Sequence, residues 1–236
     1  MTDSQRASRS IRLHDGATLP ALGLGTWRLG ESSRRRKAEI TALRRAFELG
    51  YRLIDTAEMY GEGGAEEVIG QALAEATAAG DIRREDVFVV SKVYPHHASA
   101  AGTARACDAS RRRLGTDTID LYLLHWRGAH PLSETVDAFE ALQASGAIGR
   151  WGVSNFDNAD LDELWALPAG RRCAANQIYY SVSQRGSEFA LQPWHAAHDV
   201  ATMAYSPIDQ GSLAANSVLH RLAAARGISA AQLAIA

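Results

Sequence analysis

One short apolar run in this chain reads Ile119-Asp-Leu-Tyr-Leu-Leu-His125, so that a histidine follows directly on a segment of strand length. Two other runs also end in a polar residue. The run Val87-Phe-Val-Val-Ser-Lys92 ends in a lysine, and Tyr51-Arg-Leu-Ile-Asp55 ends in an aspartate. Runs that are apolar on both faces are typical of strands buried in a covered parallel sheet. The polar side chains at their ends are therefore candidates for one shared site.

Strand-length runs and helix-like stretches alternate along the chain. A hairpin is predicted first, over residues 11–20 with its turn at Asp15-Gly16. The apolar runs then begin near Leu22, Leu53, Val87, Ile119, Gly152, Ala174 and Ala201. The helix-like stretches lie near residues 34–49, 65–79, 99–114, 133–145, 158–166, 187–197 and 216–226. This alternation predicts parallel strands joined by crossover helices.

Two architectures fit such an alternation, an open doubly wound sheet and a closed barrel. The open sheet usually carries a GxGxxG fingerprint after its first strand, but here Arg28 stands where the third glycine belongs. In a barrel, functional groups gather where the strands end. The strand ends read Gly25-Thr26-Trp27, Asp55, Lys92, His125, Ser154-Asn155, Gln177 and Tyr205-Ser206. We therefore predict an α/β fold, a (β/α)8 TIM barrel with an N-terminal β-hairpin.

The extent of the barrel follows from the number of strands. Residues 1–236 show no linker or composition break, so a single domain is predicted. The pattern yields seven strands, and Ser229–Ala236 is predicted to be a helix cut short by the end of the chain. The expectation is a barrel truncated before its eighth strand, with strand 8 and the tail absent and two strand edges unpaired.

Composition excludes several classes of partner. The net charge of -2 implies no nucleic acid and no membrane surface as partner, and no apolar run approaches the roughly 18 residues of a membrane span. The basic clusters at 34–37 and 111–113 are interpreted as solvated helix faces. Residues 1–10 lack the apolar core of a signal peptide, and Cys107 and Cys173 fit free thiols in a reducing compartment. We expect a cytoplasmic monomer.

The polar strand ends suggest proton transfer. Tyr60 lies five residues beyond Asp55, and its phenol, with an ordinary pKa of about 10, is a poor acid near neutrality. An ammonium such as Lys92, held by Asp55, lowers that pKa, and a neutral His125 can orient a substrate oxygen. The set would protonate an oxyanion forming at a carbonyl carbon, and it needs a nicotinamide cofactor as hydride source. The alternative is a structural Asp55–Lys92 ion pair beside ordinary packed residues.

The later strand ends match the needs of a nicotinamide. Ser154, Asn155 and Gln177 offer donors and acceptors for its carboxamide, and Tyr205 offers an aromatic platform. The alternative for Ser154-Asn155 is helix capping. The adjacent His96 and His97 are poor co-ligands for a metal and are expected at a surface or pocket rim, so no metal site is predicted.

Four segments resemble the aldo-keto reductase family, over roughly residues 10–236. They are Gly50-Tyr-Arg-Leu-Ile-Asp-Thr-Ala-Glu-Met-Tyr-Gly61, Ile119-Asp-Leu-Tyr-Leu-Leu-His-Trp126, Gly149-Arg-Trp-Gly-Val-Ser-Asn-Phe156 and Ala204-Tyr-Ser-Pro-Ile208. Within the family, Asp-Thr-Ala-Glu-Met-Tyr and Ser-Lys-Val-Tyr-Pro look most like bacterial members that reduce methylglyoxal and other small aldehydes. The family's last motif, which grips the adenosine 2′-phosphate, has no counterpart before Ala236.

The resemblance implies a barrel that binds NADPH in extended form. It makes Tyr60 the general acid, has Asp55 and Lys92 lower its pKa, and has His125 orient the carbonyl. The implied cofactor groove comprises Gly25, Thr26, Trp27, Asp55, Ser154, Asn155, Gln177, Tyr205, Ser206, Pro207, Ile208 and Gly211. We expect the substrate pocket to be formed by Trp27, Tyr94, His96 and Trp126.

The function predicted from the sequence is NADPH-dependent reduction of aldehydes or ketones, with small 2-oxoaldehydes such as methylglyoxal and aromatic aldehydes as substrates and Tyr60 as proton donor. Two alternatives remain open at this point. One is a nucleotide-binding regulatory subunit with negligible turnover, and the other is an inactive truncated fragment.

Overall fold

The computed structural model describes residues 10–236, which begin with a small antiparallel hairpin. Its strands are β1 (Ser10–Arg12) and β2 (Thr18–Pro20). The turn lies where the sequence predicts it, since Gly16 has a φ of +85° and the Asp15 carboxylate accepts a hydrogen bond from Ala17 N at 3.0 Å. A positive φ of this size favours glycine, which has no Cβ to clash.

Seven parallel strands, each paired with the next along the chain, form a nearly closed barrel. They are β3 (Leu24–Gly25), β4 (Leu53–Asp55), β5 (Phe88–Val93), β6 (Ile119–Leu124), β7 (Ile148–Ser154), β8 (Ala175–Tyr179) and β9 (Ala201–Tyr205). Between residues 10 and 236 the sheet has no eighth strand, and β3 and β9 do not pair with each other. The predicted α/β barrel with its seven strands is therefore confirmed.

Helices follow the strands in the predicted alternation. They are α1 (Arg36–Glu48), α2 (Gly64–Ala78), α3 (Ala100–Leu114), α4 (Leu132–Ala144), α5 (Asn158–Trp165), α6 (Leu191–Ala197), α7 (Ser217–Ala224) and α8 (Ala230–Ile235). Two boundaries differ from the prediction by more than two residues. Strand β7 begins at Ile148 because Ile148 and Trp151 are both buried in the sheet. Helix α6 begins only at Leu191, after a separate 3-10 turn over Gly186–Glu188.

The alternation of side chains along each strand decides what the barrel interior contains. Val90, Leu121 and Leu123 belong to the inner apolar cluster, which also holds Leu13 and Leu19 of the hairpin. Because successive side chains of a strand point to opposite faces, the inner positions continue from Val90 to Lys92 and from Leu123 to His125. The hairpin therefore covers one end of the barrel, and the polar residues lie at the other.

The prediction for the basic cluster at residues 111–113 is wrong for Arg113. Its Nε donates a hydrogen bond to Oε2 of Glu66 at 2.7 Å, and Glu66 is fully buried. The other oxygen of Glu66 accepts a hydrogen bond from Ser91 Oγ at 2.6 Å. Burying a carboxylate requires such partners, so Arg113 joins α2 and α3 to β5 instead of lying in solvent.

Two predictions about partners and thiols can be compared with the fold. No helix among residues 10–236 is long and apolar enough to cross a bilayer. Cys107 and Cys173 are both free and buried, and burial raises the pKa of each thiol to about 12. Thiols with such pKa values stay protonated and unreactive near neutrality.

Candidate active site

Lys92 is the centre of the site at the polar end of the barrel. Its side chain is fully buried, and its Nζ lies 2.8 Å from Oδ1 and 2.9 Å from Oδ2 of Asp55. The same nitrogen donates hydrogen bonds to Thr56 O at 2.8 Å and to Tyr60 OH at 3.2 Å. Burial lowers the pKa of Lys92, but Asp55 and Tyr60 outweigh it, so the net direction is upward and the amine is charged.

Tyr60 is positioned by a turn that depends on glycine. It begins a 3-10 turn, Tyr60–Gly63, in which Gly61 has a φ of +58°. A Cβ at Gly61 would lie 2.8 Å from Leu29 O, so a larger residue would force the loops apart. Lysine donates hydrogen bonds but cannot accept them. The Tyr60 oxygen is therefore the acceptor from Lys92, and the phenolic proton is left to point elsewhere.

The direction of the Tyr60 pKa differs from the prediction. Burial raises it, Lys92 lowers it and Asp55 raises it, and the net pKa lies above the ordinary value of 10.0. Lys92 and Asp55 together lower the pKa as expected, but the net pKa is raised because desolvation disfavours the phenolate more than the ammonium stabilises it. Lys92 acts in the expected sense, whereas the Asp55 charge opposes it.

His125 faces Tyr60 across the barrel mouth. The two rings meet edge to face with centroids 5.7 Å apart, and His125 N donates a hydrogen bond to Val93 O at 3.1 Å. Burial, with the Lys92 charge second, lowers the pKa of His125 to about 3. The ring is thus neutral, as predicted. Neither ring nitrogen bonds to any residue in the described part of the chain, and Nδ1 is buried without a partner.

The candidate nicotinamide residues join the same hydrogen-bond network. Gln177 Nε2 donates to Asp55 Oδ1 at 2.7 Å, across the barrel from β8 to β4. Ser154 Oγ donates to Gln177 O at 3.0 Å. Asn155 N donates to the same carbonyl at 2.8 Å, and Asn155 Nδ2 donates to His125 O at 3.0 Å. The structure therefore brings these residues together with Asp55, although the sequence offers no sign of the Gln177–Asp55 bond.

Asn155 has a left-handed backbone conformation. Its φ is +58°, a region that asparagine tolerates better than most residues. Its Oδ1 accepts a hydrogen bond from Tyr205 OH at 2.8 Å. Tyr205 in turn stacks on Tyr179, with ring centroids 5.6 Å apart and planes 13° from parallel. Tyr179, which the sequence did not single out, therefore packs against the predicted aromatic platform.

The segment after β9 forms an irregular turn beside these aromatic rings. Ser206 and Gly211 have φ values of +52° and +98°, and Pro207 and Ile208 between them are half-buried. Asp209 accepts a hydrogen bond from Tyr179 OH. The turn therefore borders the groove that the sequence assigns to the cofactor.

The end of β3 places a glycine, a threonine and a tryptophan in three different environments. A Cβ at Gly25 would meet no atom within 4 Å, so open space adjoins this glycine. Thr26 is fully buried and its Oγ1 donates a hydrogen bond to Asp55 O at 2.9 Å. Its side chain therefore supports the backbone of Asp55, and the cofactor contact of Thr26 stays a prediction. Trp27 is half-exposed, with the Arg28 guanidinium 4.5 Å from its ring.

Aromatic residues line one side of the space in front of His125. The Tyr94 ring stacks on His96 with centroids 4.6 Å apart and meets Trp126 edge-on at 5.2 Å. Trp126 lies 5.0 Å from the His125 ring. Three of the four predicted pocket residues are therefore brought together. Among the described residues, Trp27 makes no ring contact with this group, so its place in the pocket is not shown by packing.

A further carboxylate lies at this wall and was not predicted. Glu58 Oε1 accepts a hydrogen bond from Tyr94 N at 2.6 Å and lies 3.1 Å from Nδ1 of His97. Its position between Asp55 and Tyr60 is the only signal for it in the sequence.

The donor set suits a nicotinamide ring and carboxamide. Asn155 and Gln177 each carry an amide that both donates and accepts, Ser154 carries a hydroxyl, and Tyr205 presents a ring. Open space adjoins Gly25, and neither ring nitrogen of His125 has a hydrogen-bond partner among the described residues. By contrast, no cluster of three or more histidine, cysteine, aspartate or glutamate residues able to hold a metal occurs within residues 10–236.

Comparisons with known proteins agree with this geometry. The model of the aldo/keto reductase family matches residues 21–236. The chain is 49% identical over 233 residues to methylglyoxal reductase YeaE of Escherichia coli strain K12, covering 97% of this chain and 80% of that protein. It is 36% identical over 230 residues to an aldo-keto reductase of Mycolicibacterium smegmatis, covering 97% and 78%.

Solved structures that resemble this chain are also aldo-keto reductases. The crystal structure of an aldo-keto reductase from Klebsiella pneumoniae in complex with NADPH superposes with a TM-score of 0.89 at 47% identity, covering 97% of this chain and 80% of that one. The chain thus spans about four fifths of the length of these relatives. On the fold, the tetrad of Asp55, Tyr60, Lys92 and His125, and these matches together, the chain belongs to the aldo/keto reductase family, a family of oxidoreductases.

Proposed function

We propose that this chain is an NADPH-dependent reductase of aldehydes and ketones that acts on small 2-oxoaldehydes such as methylglyoxal and on aromatic aldehydes. The observation that carries the proposal is the hydrogen bond from Lys92 Nζ to the Tyr60 oxygen at 3.2 Å, which leaves the phenolic proton free for a substrate. The Escherichia coli relative named as a methylglyoxal reductase and the Klebsiella pneumoniae structure holding NADPH support the choice of substrate and cofactor.

NADPH, when bound, would supply the hydride that this chain's own side chains cannot. The carboxamide of its nicotinamide would be held by Ser154, Asn155 and Gln177, and Tyr205 would lie against its ring. The remaining groove would comprise Gly25, Thr26, Trp27, Asp55, Ser206, Pro207, Ile208 and Gly211. Asn155 Oδ1 accepts from Tyr205 OH at 2.8 Å and has a second lone pair that would accept from a ligand.

Tyr60 would donate the proton to the carbonyl oxygen. The burial that raises its pKa keeps the phenol protonated at neutral pH, which is the state an acid must have before it acts. Lys92 stabilises the phenolate that forms, and Asp55 keeps Lys92 charged inside the barrel. The neutral His125 has one N–H to offer to the carbonyl oxygen, so it would hold that oxygen near Tyr60 without competing as the acid.

The decisive experiment is the rate of NADPH oxidation with methylglyoxal and with 4-nitrobenzaldehyde, repeated with Tyr60→Phe. We expect the variant to lose about 10²- to 10⁴-fold in kcat, the range typical of a general acid. A matched control is Tyr51→Phe, because the Tyr51 phenol forms no hydrogen bond among the described residues, and its turnover is expected to stay unchanged. Undiminished turnover in Tyr60→Phe would refute the assigned acid. Tight NADPH binding without turnover in the unmodified protein would favour a regulatory subunit instead.

Three broader properties accompany the proposal. We propose that residues 1–236, of which 1–9 lie outside the described residues, form one domain, since one seven-stranded sheet joins β3 to β9 and the hairpin packs on its inner cluster. The two free, buried thiols support a cytoplasmic location. A monomer is proposed as the oligomeric state, and sedimentation equilibrium of the purified protein tests it directly.

A further inference from the structure

Glu58 connects two parts of the site that the barrel otherwise holds on separate loops. It lies on the segment that leads from Asp55 to Tyr60, and its own N donates a hydrogen bond to Lys92 O at 3.3 Å. Its side chain is only 10% exposed. Both of its contacts, Tyr94 N at 2.6 Å and His97 Nδ1 at 3.1 Å, lie on the loop that follows β5.

That loop carries the aromatic wall of the candidate pocket. Tyr94 stacks on His96 and meets Trp126 edge-on, and Trp126 lies against His125. The loop is short and irregular, with a 3-10 turn over Pro95–His97. A backbone N–H that loses its acceptor in a protected place costs free energy, so the position of Tyr94 depends on the carboxylate that accepts from it.

We propose that Glu58 is a positioning residue that fixes the loop of Tyr94 to His97 and thereby sets the pocket wall that selects aromatic aldehydes. The proposal rests on the proposed function for its substrates. Glu58 does not touch the reacting atoms, and it acts through the ring of Tyr94. A 2-oxoaldehyde as small as methylglyoxal needs only Tyr60 and His125, whereas an aromatic aldehyde also contacts the wall.

Three substitutions at position 58 separate the effect of side-chain length from the effect of side-chain charge. Glu58→Gln keeps an oxygen acceptor at full length and loses the charge. Glu58→Asp keeps the charge and withdraws the acceptor by one methylene, and Glu58→Ala removes it. A matched control is Glu134→Ala, because Glu134 also accepts a backbone N–H, from Ala100 at 3.3 Å, but forms no hydrogen bond or ion pair with residues 94–97.

The kinetic test compares 4-nitrobenzaldehyde with methylglyoxal. In Glu58→Ala and Glu58→Asp, KM for 4-nitrobenzaldehyde should rise about tenfold, while kcat for methylglyoxal stays within about twofold of the unmodified protein. Glu58→Gln should restore KM to near its original value, and Glu134→Ala should leave it unchanged. Rescue by Asp instead of Gln, or an equal loss for both substrates, would overturn the proposal.

A second readout keeps this test independent of turnover. The Tyr94 amide should exchange with deuterium faster in Glu58→Ala and Glu58→Asp than in Glu58→Gln, because only the last retains its acceptor. Unchanged protection in all three variants would contradict the proposed role whatever the kinetics show. If the unmodified protein reduces neither aldehyde, the proposed function fails, while the exchange measurement still judges Glu58 as an anchor of the loop.

Discussion

Lys92 shows what a single residue must satisfy to carry a charge inside a barrel. Its side chain is fully buried, and Asp55, Thr56 and Tyr60 together accept from its nitrogen. A buried ammonium is stable only if it is paired and its donors are engaged. The contact with Tyr60 that the proposed proton transfer needs is therefore also one of the hydrogen bonds that stabilise this buried charge.

Loss of the counter-charge should destabilise the fold. In Asp55→Leu the Lys92 ammonium stays buried without a counter-charge, and we expect the free energy of unfolding to fall by about 3–5 kcal/mol. Urea denaturation followed by circular dichroism measures this. The double variant Asp55→Leu with Lys92→Met removes both charges and should recover most of the loss. A double variant no more stable than Asp55→Leu alone would contradict this account.

The identities of the tetrad residues could be predicted from the sequence, and part of their chemistry could not. Strand alternation and strand ends suffice to bring Asp55, Lys92 and His125 to one mouth, since both are local properties of the chain. The direction of the Tyr60 pKa depends on how much of the phenol is desolvated, and that depends on packing by loops distant in sequence. Glu58 was missed for the same reason, since its partner Tyr94 lies on another loop.

At the scale of elements, the turn after β7 is fixed from outside the barrel. Asn176 faces away from Gln177 on β8, and its side chain donates a hydrogen bond to Phe156 O at 2.9 Å and accepts one from Phe156 N at 3.4 Å. It also lies 3.0 Å from Nε2 of the buried His195 on α6. Phe156 directly follows Asn155, so this amide holds the strained backbone of a candidate cofactor residue.

Asn176→Ala should therefore affect both stability and nucleotide affinity. Two backbone groups of Phe156 lose their partner, at a cost of about 1–3 kcal/mol in unfolding free energy, and we expect the Kd for NADPH to rise about tenfold. Fluorescence titration and urea unfolding give the two numbers. Thr202→Val is the control, because it removes only the 2.8 Å contact to His195 Nδ1 and leaves Phe156 held. An unchanged Kd in Asn176→Ala would show that Asn155 does not depend on this amide.

The elements themselves were largely predictable, because apolar runs and helix-like stretches differ in period. The boundaries of β7 and α6 were not, since a buried Trp151 extends one and a 3-10 turn delays the other. The link from Asn176 to His195 could not be predicted either. Its two residues lie on different elements, and neither belongs to a recognisable motif.

For the whole molecule, the free energy of unfolding should depend on pH through histidines that are buried in their neutral form. Burial lowers the pKa of His195 from 6.5 to about 4, and burial with the Lys92 charge lowers that of His125 to about 3. Between pH 6.5 and these values the unfolded chain binds the protons that the folded chain excludes. Stability is then expected to fall as pH decreases through this window and to be fully present above it.

The contribution of one histidine can be isolated. At pH 5 each buried neutral histidine should cost about 2 kcal/mol of unfolding free energy relative to neutral pH. Urea unfolding at pH 7 and pH 5 measures the total, to which carboxylates also contribute. His195→Gln cannot be protonated, so its loss between the two pH values should be smaller by that amount. An identical loss in the variant would mean that His195 is already charged in the folded state.

The two lysines of this chain differ completely in their access to solvent. Lys37 is exposed on α1, and Lys92 is fully buried. An amine-reactive reagent can therefore acylate Lys37 at once, but it reaches Lys92 only when the barrel opens and its hydrogen bonds break. The rate of acylation at Lys92 relative to that at Lys37 therefore measures how often the barrel opens. Each acylated Lys92 reports one opening event of a folded molecule.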